Sequence, residues 1–401
     1  MPARWLRVAL LLAAPLLALS VAAVPVSAAG TARVRTARIT RVRAVGPGGW
    51  HVRAIISMPG ESVQLNGVAA VSPSDAWAAG GVAATGSGRY RPLLVHWDGT
   101  AWRSVALPAR IRAALGTGQG LSVIGAWRAG GFWAFDGLDG TWLRHGRHGW
   151  TAGLLPVPAA GDSRPVITSA VVLGRAKVWA FGLTVNRRGQ AAPYAAHLRG
   201  GTWRVVAMPG ASSVTAASGS PRTGVWALIG GGPQTGTANS LLHWAGGQWQ
   251  QVGLTGALAN TARLYSVLAI SRASAWTGPG TPAGTTGPTG VTALWNGSAW
   301  QVWRLRRMLT PAVNVEFTLA RDGQGGAWAA AGGFGKAHWQ LWHYSGGQWT
   351  LPVNLDTSGT RAFLGGMALV PGTTSMWAVG ERLAGPADQG MIAGYGTVGE
   401  L

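Results

Sequence analysis

Residues 67–108 read GVAAVSPSDAWAAGGVAATGSGRYRPLLVHWDGTAWRSVALP, and this stretch decides the fold. An apolar run from Gly67 to Val71 meets a Pro-Ser-Asp turn, and a second run opens at Ala76-Trp77. After a polar, Gly-rich loop come a third run, Leu93 to Trp97, an Asp-Gly turn and a fourth run from Trp102. Short apolar runs separated by turn residues are the pattern of antiparallel strands joined by hairpins. The unit therefore holds four strands.

The unit recurs along the chain. Its third-to-fourth turn, HWDGTAW at 96–102, returns as HLRGGTW (197–203), HWAGGQW (243–249), LWNGSAW (294–300) and HYSGGQW (343–349). Two Trp ladders run in step with it: Trp77, Trp133, Trp179, Trp226, Trp276, Trp328 and Trp377, and Trp50, Trp102, Trp150, Trp203, Trp249, Trp300 and Trp349. Successive rungs lie 46 to 56 residues apart, so 14 of the 23 Trp follow one period. A four-stranded sheet with two apolar faces cannot stand alone, and radial stacking buries both. The expected fold class is all-β, a seven-bladed β-propeller of four-stranded antiparallel blades over 46–401.

The ladders also predict how the ring closes. The second begins at Trp50, before any rung of the first, and the chain ends at MIAGYGTVGEL, where the last unit has its third strand but lacks a fourth. His51 to Ile56 is expected to supply that outer strand to the blade built from 363–395.

The DAW-A-x-G and HW-x-G-x-x-W pattern resembles the secreted β-propeller repeat proteins of high-GC Gram-positive bacteria, and loosely the kelch and galactose-oxidase-type propellers. The resemblance covers almost the whole chain after residue 45 and implies the fold. It does not imply one activity, because propellers host enzymes, lectins and scaffolds alike.

The N-terminus reads as an export signal. Arg4 and Arg7 precede an almost wholly apolar stretch, Val8 to Val24, and Val26-Ser27-Ala28 puts small residues at a cleavage site. Residues 1–29 are expected to be a signal peptide cut after Ala28 or Ala29, with an uncleaved anchor as the competing reading, and the mature chain to be secreted or held at the cell envelope. A basic leader, 30–45, follows with Arg33, Arg35, Arg38, Arg41 and Arg43. It reads as a solvated lead-in or as a tether to an anionic surface.

Composition narrows the chemistry. With no Cys there is no disulfide framework, thiol nucleophile or galactose-oxidase-type Tyr–Cys crosslink. The net charge is +21, and all cations but Lys177 and Lys336 are Arg, which fits a high-GC genome and is weak support for nucleic-acid binding. Only 12 acidic residues occur, and Asp75, Asp98, Asp139 and Asp322 fall in expected turns, which leaves few for the carboxylate pair of a glycosidase. Four His (His96, His197, His243, His343) occupy one repeat position and are set apart by the ring. His145 and His148 are expected around a hairpin tip. No phosphate loop, nucleophile elbow or HExxH helix is present. Asn296-Gly297-Ser298 is formally a glycosylation sequon but reads as a turn.

With strands A to D counted outward, AB and CD turns share one face of the disc, and BC and DA loops share the other. The second set is longer and differs between blades, and variable loops on a rigid scaffold commonly carry function. Candidate binding residues there are Arg89, Tyr90, Arg91, Arg187, Arg188, Tyr194, Arg306 and Arg307. The reading is a monomeric, non-enzymatic propeller without cofactor or metal, binding or scaffolding a protein or anionic polymer through these loops. The alternative is an extracellular carbohydrate-active lyase or hydrolase.

Overall fold

The structure, a computed structural model, describes residues 37–42 and 49–398 except 117, 119, 128–129, 160–161, 211, 231–238, 260, 283–289, 306–314, 334–337 and 357–360. The chain opens with β1 (Arg38–Arg41) and β2 (Trp50–Ser57). Blade 1 is β3 (Glu61–Ser72), β4 (Asp75–Ala84), β5 (Arg91–Trp97) and β6 (Trp102–Ser104). A short helix, α1 (Ala109–Leu115), leads to blade 2: β7 (Leu121–Trp127), β8 (Gly131–Asp136), β9 (Thr141–Gly146) and β10 (Gly149–Leu154). Blade 3 is β11 (Val166–Gly174), β12 (Lys177–Val185), β13 (Ala191–Arg199) and β14 (Thr202–Val205). Blade 4 is β15 (Val214–Ser220), β16 (Gly224–Ile229), β17 (Ser240–Ala245) and β18 (Gln248–Val252). Blade 5 is β19 (Thr261–Ala269), β20 (Ala275–Pro282), β21 (Gly290–Trp295) and β22 (Trp300–Leu305). In blade 6, β23 (Val315–Arg321), β24 (Ala327–Gly333) and β25 (His338–Ser345) meet an outer strand broken into β26 (Gln348–Trp349) and β27 (Val353–Asp356). Blade 7 is β28 (Arg361–Leu369), β29 (Met376–Leu383) and β30 (Asp388–Tyr395).

The N-terminal strand completes blade 7 as the ladders require. β2 pairs antiparallel with β30, from Trp50 opposite Tyr395 to Ile56 opposite Gly390. β1 then adds a fifth strand outside β2, so part of the basic leader belongs to the sheet. Ile39 packs with the cluster between blades 7 and 1, and Val42 with the cluster between blades 6 and 7. The leader thus straps both interfaces of the closing blade.

Between blades the two ladders interlock. The strand-B Trp of one blade abuts the strand-D Trp of the next, edge to face, in Trp133–Trp203, Trp179–Trp249, Trp276–Trp349, Trp328–Trp50 and Trp377–Trp102, with ring centroids 5.0 to 5.7 Å apart. Such pairs are stabilising beyond the area they bury. The first ladder is fully buried, whereas from Trp150 to Trp349 the second is only half-buried, because outer strands have solvent on their far side.

The glycine of the DAW-A-x-G motif has a steric cause. Strand A bulges between Leu65 and Gly67, between Ile167 and Ser169, and between Leu364 and Gly366. The bulge turns a carbonyl oxygen toward strand B, where a Cβ on Gly80, Gly182 or Gly380 would run into Gln64, Val166 or Phe363.

Candidate functional site

The seven inner strands enclose a central channel of about 290 Å³. Its lining includes Asn66, Ser122, Thr168, Thr215, Tyr265 and Thr318, and among the described residues it holds no carboxylate, imidazole, amine or guanidinium. The bulged residues of strand A run a relay around it. Asn66 Nδ2 donates to Leu121 O of blade 2 (3.0 Å), Ser122 Oγ to Ile167 O of blade 3 (3.3 Å), and Thr168 Oγ1 to Val214 O of blade 4 (2.5 Å). Farther round, Ser218 Oγ accepts from Ala269 N and Ser266 Oγ from Leu319 N, each across a blade interface. These polar side chains satisfy backbone groups where neighbouring blades meet. The channel wall is thus stitched from blade to blade by its own side chains.

On the loop face the candidate residues divide. Arg89, Arg187 and Arg188 are exposed, the last two at a turn tip whose Asn186 Oδ1 accepts from the Arg188 and Gln190 amides. Arg91 is engaged: its guanidinium grips Glu61 at 3.0 and 2.9 Å, joining the starts of β5 and β3. Tyr90 and Tyr194 are corrections to the expected surface, for they are 2% and 1% exposed. Tyr90 exchanges backbone hydrogen bonds with Gly118, and the Tyr194 hydroxyl donates to Pro156 O at 2.8 Å, its pKa pushed up by burial. In sequence they stand among loop polar residues, yet an aromatic ring beside an apolar run is drawn inward. Arg306 and Arg307 lie outside the described residues. Arg89 belongs to blade 1 and Arg187 and Arg188 to blade 3, so blade 2, with exposed Leu138, stands between them.

The helix α1 was not legible as such. It buries Ile111 and Leu115 between blades 1 and 2 and leaves Arg110 and Arg112 on the surface. Beside it lies Asp136, 1% exposed, with Oδ1 accepting from the Leu138 amide and Oδ2 without a partner. Burial pushes its carboxyl up to about 6, and the charge of Asp139 adds to the shift. The protonated form is thus favoured in the folded chain over an unfolded value near 3.9. Any stabilisation from this proton is complete below pH ~4 and lost as pH rises through about 6. The Asp136→Asn variant, which keeps the Oδ1 acceptor, is expected to flatten that slope and to exceed the parent by about 2 kcal/mol relative to its own value at pH 4. Urea midpoints from pH 4 to 8 measure it, and parallel slopes for both proteins would refute the assignment.

On the turn face the repeated His stack on strand-B Trp of their own blades: His96 on Trp77, His197 on Trp179, His243 on Trp226 and His343 on Trp328, with centroids 4.1 to 4.4 Å apart. In blades 1 and 6 the His also meets the AB-turn carboxylate, His96 with Asp75 at 3.0 Å and His343 with Asp322 at 2.8 Å. In the CD turns, Asp98 Oδ1 accepts from the Thr100 and Ala101 amides, and Asn296 Oδ1 from those of Ser298 and Ala299, so Asn296 acts as a turn residue. The Arg103 guanidinium 2.6 Å from Asp98 holds that carboxyl well below the usual range. His145 and His148 flank the β9–β10 tip, where Arg147 Nε donates to His148 Nε2. Among the described residues no three His, Asp or Glu side chains gather as a metal site.

No protein-family model matches the chain, and no curated protein matches it. Solved structures match over nearly its full length. YCF48 bound to a D1 peptide superposes with a TM-score of 0.53 at 15% identity, covering 89% of this chain and 99% of that one. The WD40 repeats of RRP9 give 0.55 at 12% identity over 90% and 98%. YCF48 from Cyanidioschyzon merolae gives 0.52 at 17% over 86% and 98%. These likenesses show the fold: a seven-bladed propeller with YCF48-like and WD40-like neighbours.

Proposed function

We propose that the chain is an exported, non-catalytic propeller that binds an acidic protein segment through its loop face. The observation that carries this reading is the channel, whose polar side chains are spent on joining blades and whose lining, among the described residues, holds no acid or base. General acid–base chemistry requires such groups within hydrogen-bond reach of a substrate. What differs from blade to blade is the loop face, with α1 between blades 1 and 2, a 3-10 turn at Gly256–Leu258, and exposed Arg89, Arg110, Arg112, Arg187 and Arg188. The neighbour YCF48, bound to a peptide, supports a segment as the kind of partner. Export rests on the pattern of residues 1–29. Among the described residues, no helix is long and apolar enough to cross a membrane.

Two measurements test the reading. Expressed with its own N-terminus in a secreting bacterial host, the chain should appear outside the cell beginning at Ala29 or Gly30; retention with Met1 intact would overturn export. On an array of acidic peptides, the combined change Arg89→Glu, Arg187→Glu and Arg188→Glu should weaken every hit, and raised salt should imitate it, because exposed charges are screened within about 8 Å at physiological ionic strength. Peptide binding indifferent to both would place the contact elsewhere.

A further inference from the structure

The turn face has an electrostatic asymmetry that the fold does not require. In blades 1 and 6 the AB turn carries Asp75 and Asp322, each bonded to its blade's His. In blades 3, 4 and 5 the AB turn carries Arg, four residues before the strand-B Trp: Arg175 before Trp179, Arg222 before Trp226, and Arg272 before Trp276. All three are exposed, as are Lys177 and Arg199 of blade 3 and Arg147 of blade 2. No acidic residue occurs in the AB and CD turns of blades 2 to 5; Asp136, Asp139 and Asp162 of that span belong to the loop face. None of the three repeating Arg takes part in a salt bridge recorded among the described residues.

These cations are also held in place. The indole of Trp133 donates to Arg175 O (3.3 Å), and that of Trp226 to Ser271 O (3.1 Å), so these two strand-B Trp pin the AB turns that carry Arg175 and Arg272. Around Arg222, the Ser220 amide donates to Thr223 Oγ1 and the Thr223 amide to Ser220 Oγ; beside Arg272, the Ala273 amide donates to Ser271 Oγ. The cations reach one another's surroundings. His197 is held below its ordinary pKa by burial and then by Arg199 and Lys177, and His243 by burial and then by Arg272. Like charges gathered on rigid turns repel one another and contribute no stability, so the arrangement is suited to an anion from outside.

We propose that the AB and CD turns of blades 3 to 5, with the CD turn of blade 2, form an anion-binding arc for a linear phosphate polymer, with Arg175, Arg222 and Arg272 as repeating contacts and Arg147, Lys177 and Arg199 beside them. Guanidinium forks match phosphate oxygens in pairs. One cation per successive blade suits a flexible chain laid along an arc better than a compact ligand. Among the described residues the exposed large apolar side chains, Leu138, Leu154, Val157, Val205, Val302, Leu351 and Val353, all lie off these turns and give the arc no membrane-inserting wedge. The strand-B Trp rings are buried beneath it, and the half-buried Trp203, Trp249 and Trp300 beside the CD turns are already engaged with Trp133, Trp244 and Trp295. This inference is independent of the loop-face reading.

The test is fluorescence anisotropy of the full chain with labelled long-chain inorganic polyphosphate across a salt series. The triple change Arg175→Glu, Arg222→Glu and Arg272→Glu should weaken binding at least about tenfold at 0.15 M salt and lower the slope of log affinity against log salt by about 2. A control of equal charge change, Arg89→Glu, Arg164→Glu and Arg304→Glu, uses exposed residues away from the arc and should change affinity less than about threefold. A milder Arg→Gln triple guards against misfolding, with melting curves alongside. Equal losses in both triples, or no loss in either, overturn the proposal. So does binding of polyglutamate of matched length, or of anionic phospholipid vesicles, as tightly as polyphosphate.

Discussion

Deleting residues 46–57 is expected to leave a chain that no longer melts cooperatively and that aggregates. The deletion removes β2, and with it four buried apolar residues, Trp50, Ala54, Ile55 and Ile56. Three of these are large, and full burial of such a side chain contributes about 1.5 to 3 kcal/mol. Their sum is comparable with the ~5 to 15 kcal/mol that separates folded from unfolded states in most domains. Two interfaces suffer together, since Ile56 packs between blades 7 and 1 while Trp50 meets Trp328 of blade 6 at 5.5 Å. β30 would become a bare edge presenting Met391, Ile392 and Ala393, an apolar template for another chain. A peptide spanning 49–58, added in trans, should restore cooperative melting by pairing with β30, a strand-addition outcome that non-specific damage would not give. Calorimetry with and without the peptide decides it; an unchanged melting profile for the deleted chain would end the closure account.

Blade number, strand count and closure were legible because each is written as a period. Trp50 and the missing fourth strand after Tyr395 are complementary half-units, and only a ring reconciles them. The fifth strand β1 was not legible: Arg38-Ile39-Thr40-Arg41 reads as polar lead-in, and Ile39 gains meaning only once blades 7 and 1 put an apolar groove beside it. Helix α1 escaped for a related reason, since ARIRAAL has only two apolar positions that become buried, and its ends carry no side-chain cap.

The candidate site was legible in part. Arg89, Arg187 and Arg188 stand where loop polarity put them, but Tyr90 and Tyr194 turn inward and Arg91 is taken by Glu61, a residue 30 positions away. Pairing at that distance depends on which strands lie side by side, which local composition does not encode. The turn-face arginines did carry a signal, their constant offset of four from the strand-B Trp. It becomes informative beside Asp75 and Asp322, whose bonds to His96 and His343 show what the same turn does elsewhere.

The largest single-residue effect is expected at Trp226. Its ring is 1% exposed, stacks on His243 at 4.4 Å, and lies in the cluster shared with Leu258, Leu264 and Val267 of the next blade segment. Trp226→Ala should cost about 3 to 5 kcal/mol, the usual range for a large core aromatic, because a propeller held by its neighbours cannot collapse into the cavity. It also takes away the indole donor that pins Ser271 O, loosening the turn that presents Arg272. Trp226→Phe should fall between parent and Ala, keeping an aromatic face for His243 but not the donor. Trp127 is the contrasting case. It belongs to neither ladder, is only half-buried, and covers Gly131 and Gly146 at the end of blade 2, so Trp127→Ala should cost about 1 to 2 kcal/mol. Urea unfolding of the three variants ranks them. Equal losses at 127 and 226 would mean that the ladder Trp do not build the blade interfaces, and the account of how this ring holds together would have to be rebuilt from other residues.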